Sequence, residues 1–497
     1  MAWQGGLQWR DFSLEDILID TTRQPVATTP AHWSLLSALA LLAACTLPPR
    51  RAGIDAVDAL VAERVASGVV TPAGERDEAA LRAQLDALRA GELTLARAVG
   101  LALLNNPRVR AEYAALGIAR GDLIEASRPS NPRLGVLRER ADGNRSTTQS
   151  VSRNFTEALL LGTRTRIGEA EYVRVQRLVA DAVLRLASEV ETAWFEAVGA
   201  VQIAQMRAAI AKAAGLSAEL ATRMHAAGNL ARLPLLVEQG AASQAAIESR
   251  RAQAQARAAR SRLLGLLGLG SAATVELPAW LAAPPALALD AAALATAARA
   301  QRLDLSALER ERALRADALE LARKWRWLGS LELGVERETA GGEVRVRGLE
   351  ASIELPIFHQ GQAAIARAQA ELEAADARLT ELAIAIEHEV MVAGDRTESL
   401  RQLAQDYRER LLPQREGIVD ATQREYNYML TGAFELLRAR QEQYAAYQEY
   451  LETVRDYWIA RGELRRAVGG RLPGDEAMPE ATVGVEAVLP KSGESEK

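Results

Sequence analysis

The chain has 497 residues, room for roughly two or three ordinary domains, and a formal net charge of -5 that leaves no basic footprint for nucleic acid. Hydrophobic residues make up 49% of it but aromatics only 4%, and alanine dominates; this suits long helices that bury narrow stripes better than one large core of Leu, Ile and Phe. No apolar run is long enough for a bilayer-spanning helix, and the single cysteine, Cys45, excludes a disulfide framework and a cysteine-based metal site.

In chain order, residues 33–44 have the length of a signal-peptide apolar core and end in Leu42-Ala43-Ala44-Cys45. Small residues before a cysteine resemble a bacterial lipobox, whose thiol is alkylated by diacylglycerol and becomes the mature N-terminus. The plainer alternatives are cleavage without a lipid, or a buried cysteine acting as a small hydrophobe. The stretch 1–32 is overlong for a leader and carries Asp11, Glu15 and Asp16, so the true start codon is expected within it. Residues 46–77 read as irregular, and 78–89 as a short helix. Thr94 reads as an N-cap, with Arg97 where a capping box would place Glu. Asn105-Asn106-Pro107 then interrupts a helix that runs on to about Ser127, before Pro129 and Pro132.

Two strand pairs follow, one in each half of the chain. In the clearer pair, residues 327–338 and 348–358, Leu331, Leu333, Val335, Leu349, Ile353 and Leu355 alternate with Glu332, Glu336, Glu350 and Glu354 around a turn at Ala340-Gly341-Gly342. The weaker pair, 134–140 and 148–159, has a polar face of Ser150, Ser152, Asn154 and Thr156, but Arg153 and Glu157 spoil the other face. Long helices are predicted over 162–227, 233–267 and 361–427. In the last, Ala368, Leu372, Ala375, Leu379, Leu382, Ile386, Val390 and Ala393 step by four and three, a heptad seam that loosens near Pro413. Such a helix is about 100 Å long, more than a compact domain needs. Tyr444, Tyr447, Leu451, Val454 and Trp458 carry the same seam on the return helix.

The chain therefore repeats itself roughly 200 residues apart, far beyond solenoid periods. Ala111 pairs with Ala307, Gly162 with Gly361, and Leu230, Leu236 and Leu264 with Leu430, Leu436 and Leu464. A slowly drifting offset is the mark of a duplicated unit with small loop deletions, and it predicts two pseudo-equivalent halves. The histidines, His225, His359 and His388 with His32 in the leader, are too scattered to converge on a metal. No phosphate loop or catalytic triad is readable, so no catalytic residue, metal or cofactor is assigned. Trp325 and Trp327 flank a strand start and read either as core or as an interfacial belt.

Four strands with one apolar face cannot close a barrel alone, and lipid tolerates no open sheet edge, so copies must pool their strands. Here the chain resembles the TolC-type outer membrane efflux proteins. The resemblance is carried by residues 93–110 (LTLARAVGLALLNNPRVR), Arg302-Leu303-Asp304-Leu305, residues 355–361 (LPIFHQG) and the segment NYMLTGAFELLRARQ around Gly432. The chain departs from the family at Leu303, where proline is usual, and at the turns, which usually carry Gly-Leu. The lipobox points to the lipoprotein branch that serves drug and heavy-metal pumps.

The resemblance implies a mainly α fold with a small β part: long antiparallel coiled-coil helices, and four strands per copy in a trimeric twelve-stranded outer membrane barrel. It implies a leader over 1–44, an acylated linker over 45–92, repeats over 93–270 and 303–470 joined by a connector at 271–302, and a disordered tail from 471 to 497. The function implied is a passive, non-enzymatic exit duct of a tripartite efflux pump, lipid-anchored in a Gram-negative outer membrane. Its partners would be two further copies of itself, membrane lipid, a periplasmic adaptor and an inner-membrane pump, with no nucleic acid. The adaptor would dock at turns bearing Gly228, Leu230, Leu430 and Gly432. Glu332, Glu336, Glu350 and Glu354 would line a cation-attracting lumen. Glu435, with Arg438 as a candidate partner, would gate the tip; the alternative is a first-turn glutamate that merely complements the helix dipole. The rival readings are a lipid-anchored periplasmic coiled-coil scaffold and the outer membrane component of a type I secretion system. Cargo is not legible.

Overall fold

The computed structural model describes residues 53–65, 78–141, 144–285, 290–327, 329–340 and 343–473. The chain divides into two units, Met1–Pro49 and Arg50–Lys497, and every described residue lies in the second. Cys45, the leader and most of the C-terminal tail lie outside the described residues.

The first half begins with helices α1 (Ile54–Arg64), α2 (Glu78–Arg89), α3 (Leu95–Asn105) and α4 (Pro107–Ala126), then strands β1 (Arg133–Ala141) and β2 (Asn144–Asn154). The long helices α5 (Phe155–Ala226) and α6 (Arg232–Leu266) follow. The second half has α7 (Ala291–Gln301), α8 (Leu303–Lys324), β3 (Leu331–Ala340), β4 (Glu343–Ile353), α9 (Gln362–Asp406), α10 (Leu412–Asn427) and α11 (Ala433–Val468). The order helix, hairpin, long helix, turn, long helix occurs in each half. With 72 residues, α5 is about 108 Å long.

Several expectations are corrected. Residues 54–64 are helical rather than irregular, because Val57 and Val61 sit one turn apart and bury completely or nearly so against α5. Strand β2 ends at Asn154, whose side chain accepts from the Glu157 N–H at 3.1 Å and caps α5 at once. Glu157 therefore belongs to the helix and spoils no sheet face. In the second half a connector separates β4 from α9, and Gly361 takes φ 76 as its N-cap. Gly162 lies inside α5, so these two glycines do not occupy equivalent places. Leu355 falls beyond the end of β4.

The α9 seam forms as its spacing predicts: Ala368, Ala375, Ile386, Val390 and Ala393 are buried, with Leu379 and Leu382 packed partly against them. A π-helical segment, Tyr407–Leu411, separates α9 from α10. Pro413 has no N–H to give to the turn behind it, and a widened turn absorbs that loss. The main core joins α3, α4, α5, α6 and α11 through residues such as Leu101, Leu186, Val190, Leu263 and Val454. Aromatics are few but concentrated. Phe195 stacks on Trp458 at 5.5 Å, and the Trp194 and Trp458 indole N–H groups donate to the carbonyls of Leu93 and Ala282.

Candidate channel surfaces

The four strands form one antiparallel sheet in the order β1-β2-β3-β4, leaving β1 and β4 as its edges. The register decides which side chains share a face. Leu134, Val151, Val335 and Leu349 form one cross-strand row, and Leu333 with Ala351 and Leu331 with Ile353 continue the same face. That face is open: Val335 is 53% exposed and Leu349 90%. The opposite face carries Glu332, Glu336 and Glu350 with Ser150, Ser152 and Asn154. Gly348 makes room for one of these acids, since a Cβ there would meet the Glu336 carboxylate at 2.8 Å, whereas a Cβ on Gly334 would crowd the Ser152 side chain at 3.2 Å. Glu354 lies just past β4, where its backbone N–H bonds the Ser330 carbonyl at 2.9 Å in continuation of the register. Arg133 pairs with Glu332 at 2.6 Å, and Leu137 is an apolar intruder on this polar face. The Arg326 guanidinium stacks 4.6 Å from the ring of Trp327, which is exposed in the turn after α8 rather than at the start of β3.

The turns between long helices share one geometry. In the first, Gly228 takes φ 79, its N–H bonds the His225 carbonyl, and the Asn229 N–H reaches back to Met224 at 2.8 Å. In the second, Met429 takes φ 59, its N–H bonds Tyr426, and the Leu430 N–H reaches Glu425 at 2.9 Å. Gly228 is thus matched by Met429 and Asn229 by Leu430, one residue off the Leu230–Leu430 pairing read from sequence. A methionine in the left-handed region costs roughly 1–2 kcal/mol, so Met429→Gly is expected to stabilise this turn by about 1 kcal/mol. Slower amide exchange at Tyr428–Leu430 would register it; unchanged or faster exchange would contradict it. Tyr428, Met429 and Leu430 are all strongly exposed, whereas Leu230 is half-buried and its carbonyl lies 2.7 Å from the His225 Nδ1.

Gly432 is the N-cap of α11, and a Cβ there would meet the Glu435 carboxylate at 2.6 Å. Glu435 is exposed in the first helical turn. Arg438 is not its partner: it turns the other way, to Glu442 at 3.4 Å, and Arg415 of α10 holds the same carboxylate at 2.6 Å. Glu442 therefore ties α10 to α11 just above the turn. Burial, then a hydrogen bond to the Glu416 carboxylate, raises the Tyr447 hydroxyl pKa well above its usual range.

The Arg302 box is a buried junction that sequence could flag but not explain. Arg302 precedes α8 with nearly the backbone of Asn106, which precedes α4 (ψ 123 against 126 at φ -68). Asn106 donates to the Leu266 carbonyl at 2.8 Å, and Arg302 correspondingly reaches the Ala467 carbonyl at 3.4 Å. Leu303 fills the place of Pro107; at a first helical position either residue serves, because that N–H has no partner within the helix. Arg302 bonds both Asp304 oxygens, at 3.0 and 2.6 Å, and Glu389 of α9 at 2.5 Å. Burial alone would raise the Asp304 pKa, but the Arg302 bonds outweigh it and hold it below the usual carboxylate value. Asp181 nearby is raised by desolvation. Arg302, Asp304 and Asp181 border a cavity of about 440 Å³ lined by Trp194, Phe195 and Trp458, where Arg465 also pairs with Glu191. Among the described residues no group of His, Cys, Asp and Glu gathers into a metal site, and no helix is long and apolar enough to cross a membrane.

These features define a class: a duplicated helical hairpin carrying a small antiparallel sheet with one open apolar face and two free edges. No protein-family model matches the chain. It is 26% identical over 394 residues to the cobalt-zinc-cadmium resistance protein CzcC of Cupriavidus metallidurans, covering 76% of this chain and 91% of that one. Its structure matches the outer-membrane channel OprN with a TM-score of 0.64 at 19% identity, over 82% of this chain and 96% of that one. It matches the outer membrane protein VceC of Vibrio cholerae with a TM-score of 0.63 at 16% identity, over 78% and 96% of the two chains. The fold is that of the TolC-type outer membrane efflux proteins, as the sequence resemblance implies.

Proposed function

We propose that this chain is the outer membrane exit duct of a tripartite efflux system, a passive conduit that catalyses nothing. The observation that carries the reading is the sheet: one face apolar and open, the other acidic, with the outer edges of β1 and β4 unpaired among the described residues. Open edges are intolerable in lipid, and four alternating strands let one copy's β4 pair antiparallel with the next copy's β1. Three copies would close a twelve-stranded barrel with the glutamates inside and the long helices extending into the periplasm. The relative named for cobalt, zinc and cadmium resistance favours cationic cargo, and the acidic face supports the same choice. The exposed turn around Tyr428–Leu430 and the one at Gly228 would meet the periplasmic adaptor that links the duct to an inner-membrane pump. Anchoring through a lipid on Cys45 belongs to the same reading. Fatty-acid label lost in Cys45→Ala would support it, and undiminished label would refute it.

Reversal potentials across a planar bilayer test the conduit. Wild-type oligomers are expected to pass cations over anions. Glu435→Ala, which removes one carboxylate per copy beside the turn, is expected to alter conductance or cation preference without changing assembly. Wild-type and variant currents that coincide would leave Glu435 as a first-turn charge alone. Absence of any current from folded oligomer would remove the conduit reading itself.

A further inference from the structure

Apart from Arg133, which pairs with Glu332 on the acidic face, the described strand side chains are sorted by sign as well as by polarity. Register places Arg138, Arg140, Arg145, Arg337 and Arg347 on the apolar face, beyond its Leu134–Val151–Val335–Leu349 row and toward the two hairpin ends. Arg337 faces Arg347 directly across the strand pair, and Arg140 faces Arg145. Like charges directly opposite one another are destabilising unless something compensates them. All five are exposed, none makes an ion pair among the described residues, and no described Asp or Glu of the strands shares their face. The acids Glu139, Glu332, Glu336, Glu338 and Glu350 lie on the other face. A merely solvated surface intersperses its signs; here the positive charge forms a band roughly 13 Å deep, four residues along β1.

We propose that this band binds the phosphate groups of lipids in the outer leaflet. The inference rests on the reading of the chain as a barrel-forming duct, which turns this face toward lipid. An arginine near the bilayer midplane is costly, but one at the interface costs almost nothing and carries its guanidinium to the headgroup level. There the planar fork meets phosphate oxygens two at a time, and a phosphate between paired arginines removes their repulsion. Lipid phosphate is the one occupant that supplies negative charge at the depth where the apolar face ends. The other end of the face carries only Arg153, so the contact would also fix which way up the barrel sits.

The test uses the purified full-length oligomer in neutral detergent, with native mass spectrometry reading retained lipid. The probes are bisphosphorylated lipid A and the same lipid stripped of phosphate. Wild type is expected to retain the phosphorylated form about tenfold or more over the stripped one, with the preference shrinking at about 0.5 M salt. Replacing all five arginines by Gln should abolish the preference, while replacing them by Lys should keep part of it and show that assembly survives. Equal retention of the two lipids by wild type, or an undiminished preference in the Gln variant, would overturn the proposal. Wild-type oligomer that conducts but shows no preference would overturn the lipid band alone; wild type that neither assembles nor conducts would remove the duct reading and the band with it.

Discussion

Val335→Arg is expected to strip most of the assembled oligomer from the membrane. Val335 sits in the central cross-strand row, between Val151 and Leu349, on the open apolar face. A charge there lies one row, about 7 Å, below Arg337 and Arg347, between the interface and the midplane, so it costs about 1–2 kcal/mol for each copy, and a symmetric barrel incurs that cost in every copy. Glu336→Gln, one residue along, points to the opposite face and should leave assembly unchanged. Quantitative blotting of the heat-resistant oligomer in membrane fractions compares the two. Equal loss from both variants would mean that the faces are assigned the wrong way round, and no loss from either would mean that the sheet never meets lipid.

Arg302→Met carries the second large effect. It keeps much of the volume but removes the cation that bonds Asp304 and Glu389 and reaches the Ala467 carbonyl. Removing one partner of a buried pair costs about 3–5 kcal/mol, and the lower end applies because Glu389 is 38% exposed. The sign of the pH dependence differs between the two proteins. In the wild type the Asp304 pKa is lowered, so its contribution is complete above the ordinary carboxylate value, about 4, and is lost as pH falls through the lowered one. In the variant the Arg302 bonds are gone and only backbone N–H groups, that of Leu305 among them, still oppose burial, so that pKa should rise and the variant should regain part of its loss as pH falls from neutral through the raised value. Thermal unfolding at neutral pH and at about pH 5 measures both. A loss of the same size at the two pH values would contradict the pairing argument.

The long helices were legible because a four-and-three seam sustained over many turns has no other reading; Ile386 and Val390 are buried where the seam puts them. The second strand pair was legible because leucines and glutamates alternate cleanly along it. The first pair blurred where β2 runs into α5, since a Ser- and Thr-rich strand ends in an apolar helical start with only Asn154 to mark the boundary. Helix α1 escaped notice because eleven residues beside Pro- and Gly-bearing sequence give few periods to count. The left-handed Met429 had one available signal, the Gly228 turn of the other half, and an offset one residue out concealed it. The Arg302–Glu389 bond joins residues 87 apart, which no local spacing could announce. The arginine band was present in the letters but invisible until the register assigned the arginines to a common face.

Disulfide trapping between sheet edges tests most directly whether copies of this chain pool their strands. Val136→Cys on β1 is combined in turn with Arg347→Cys, Leu349→Cys or Ala351→Cys on β4, all on the same face. Within one chain these edges are three strand spacings apart, about 14 Å, too far for a disulfide to span. Oxidised membranes should therefore yield covalent dimers and closed trimers for at least one pair and none for the single-cysteine controls. Monomer alone from every pair, in membranes where the protein is folded, would contradict the shared barrel.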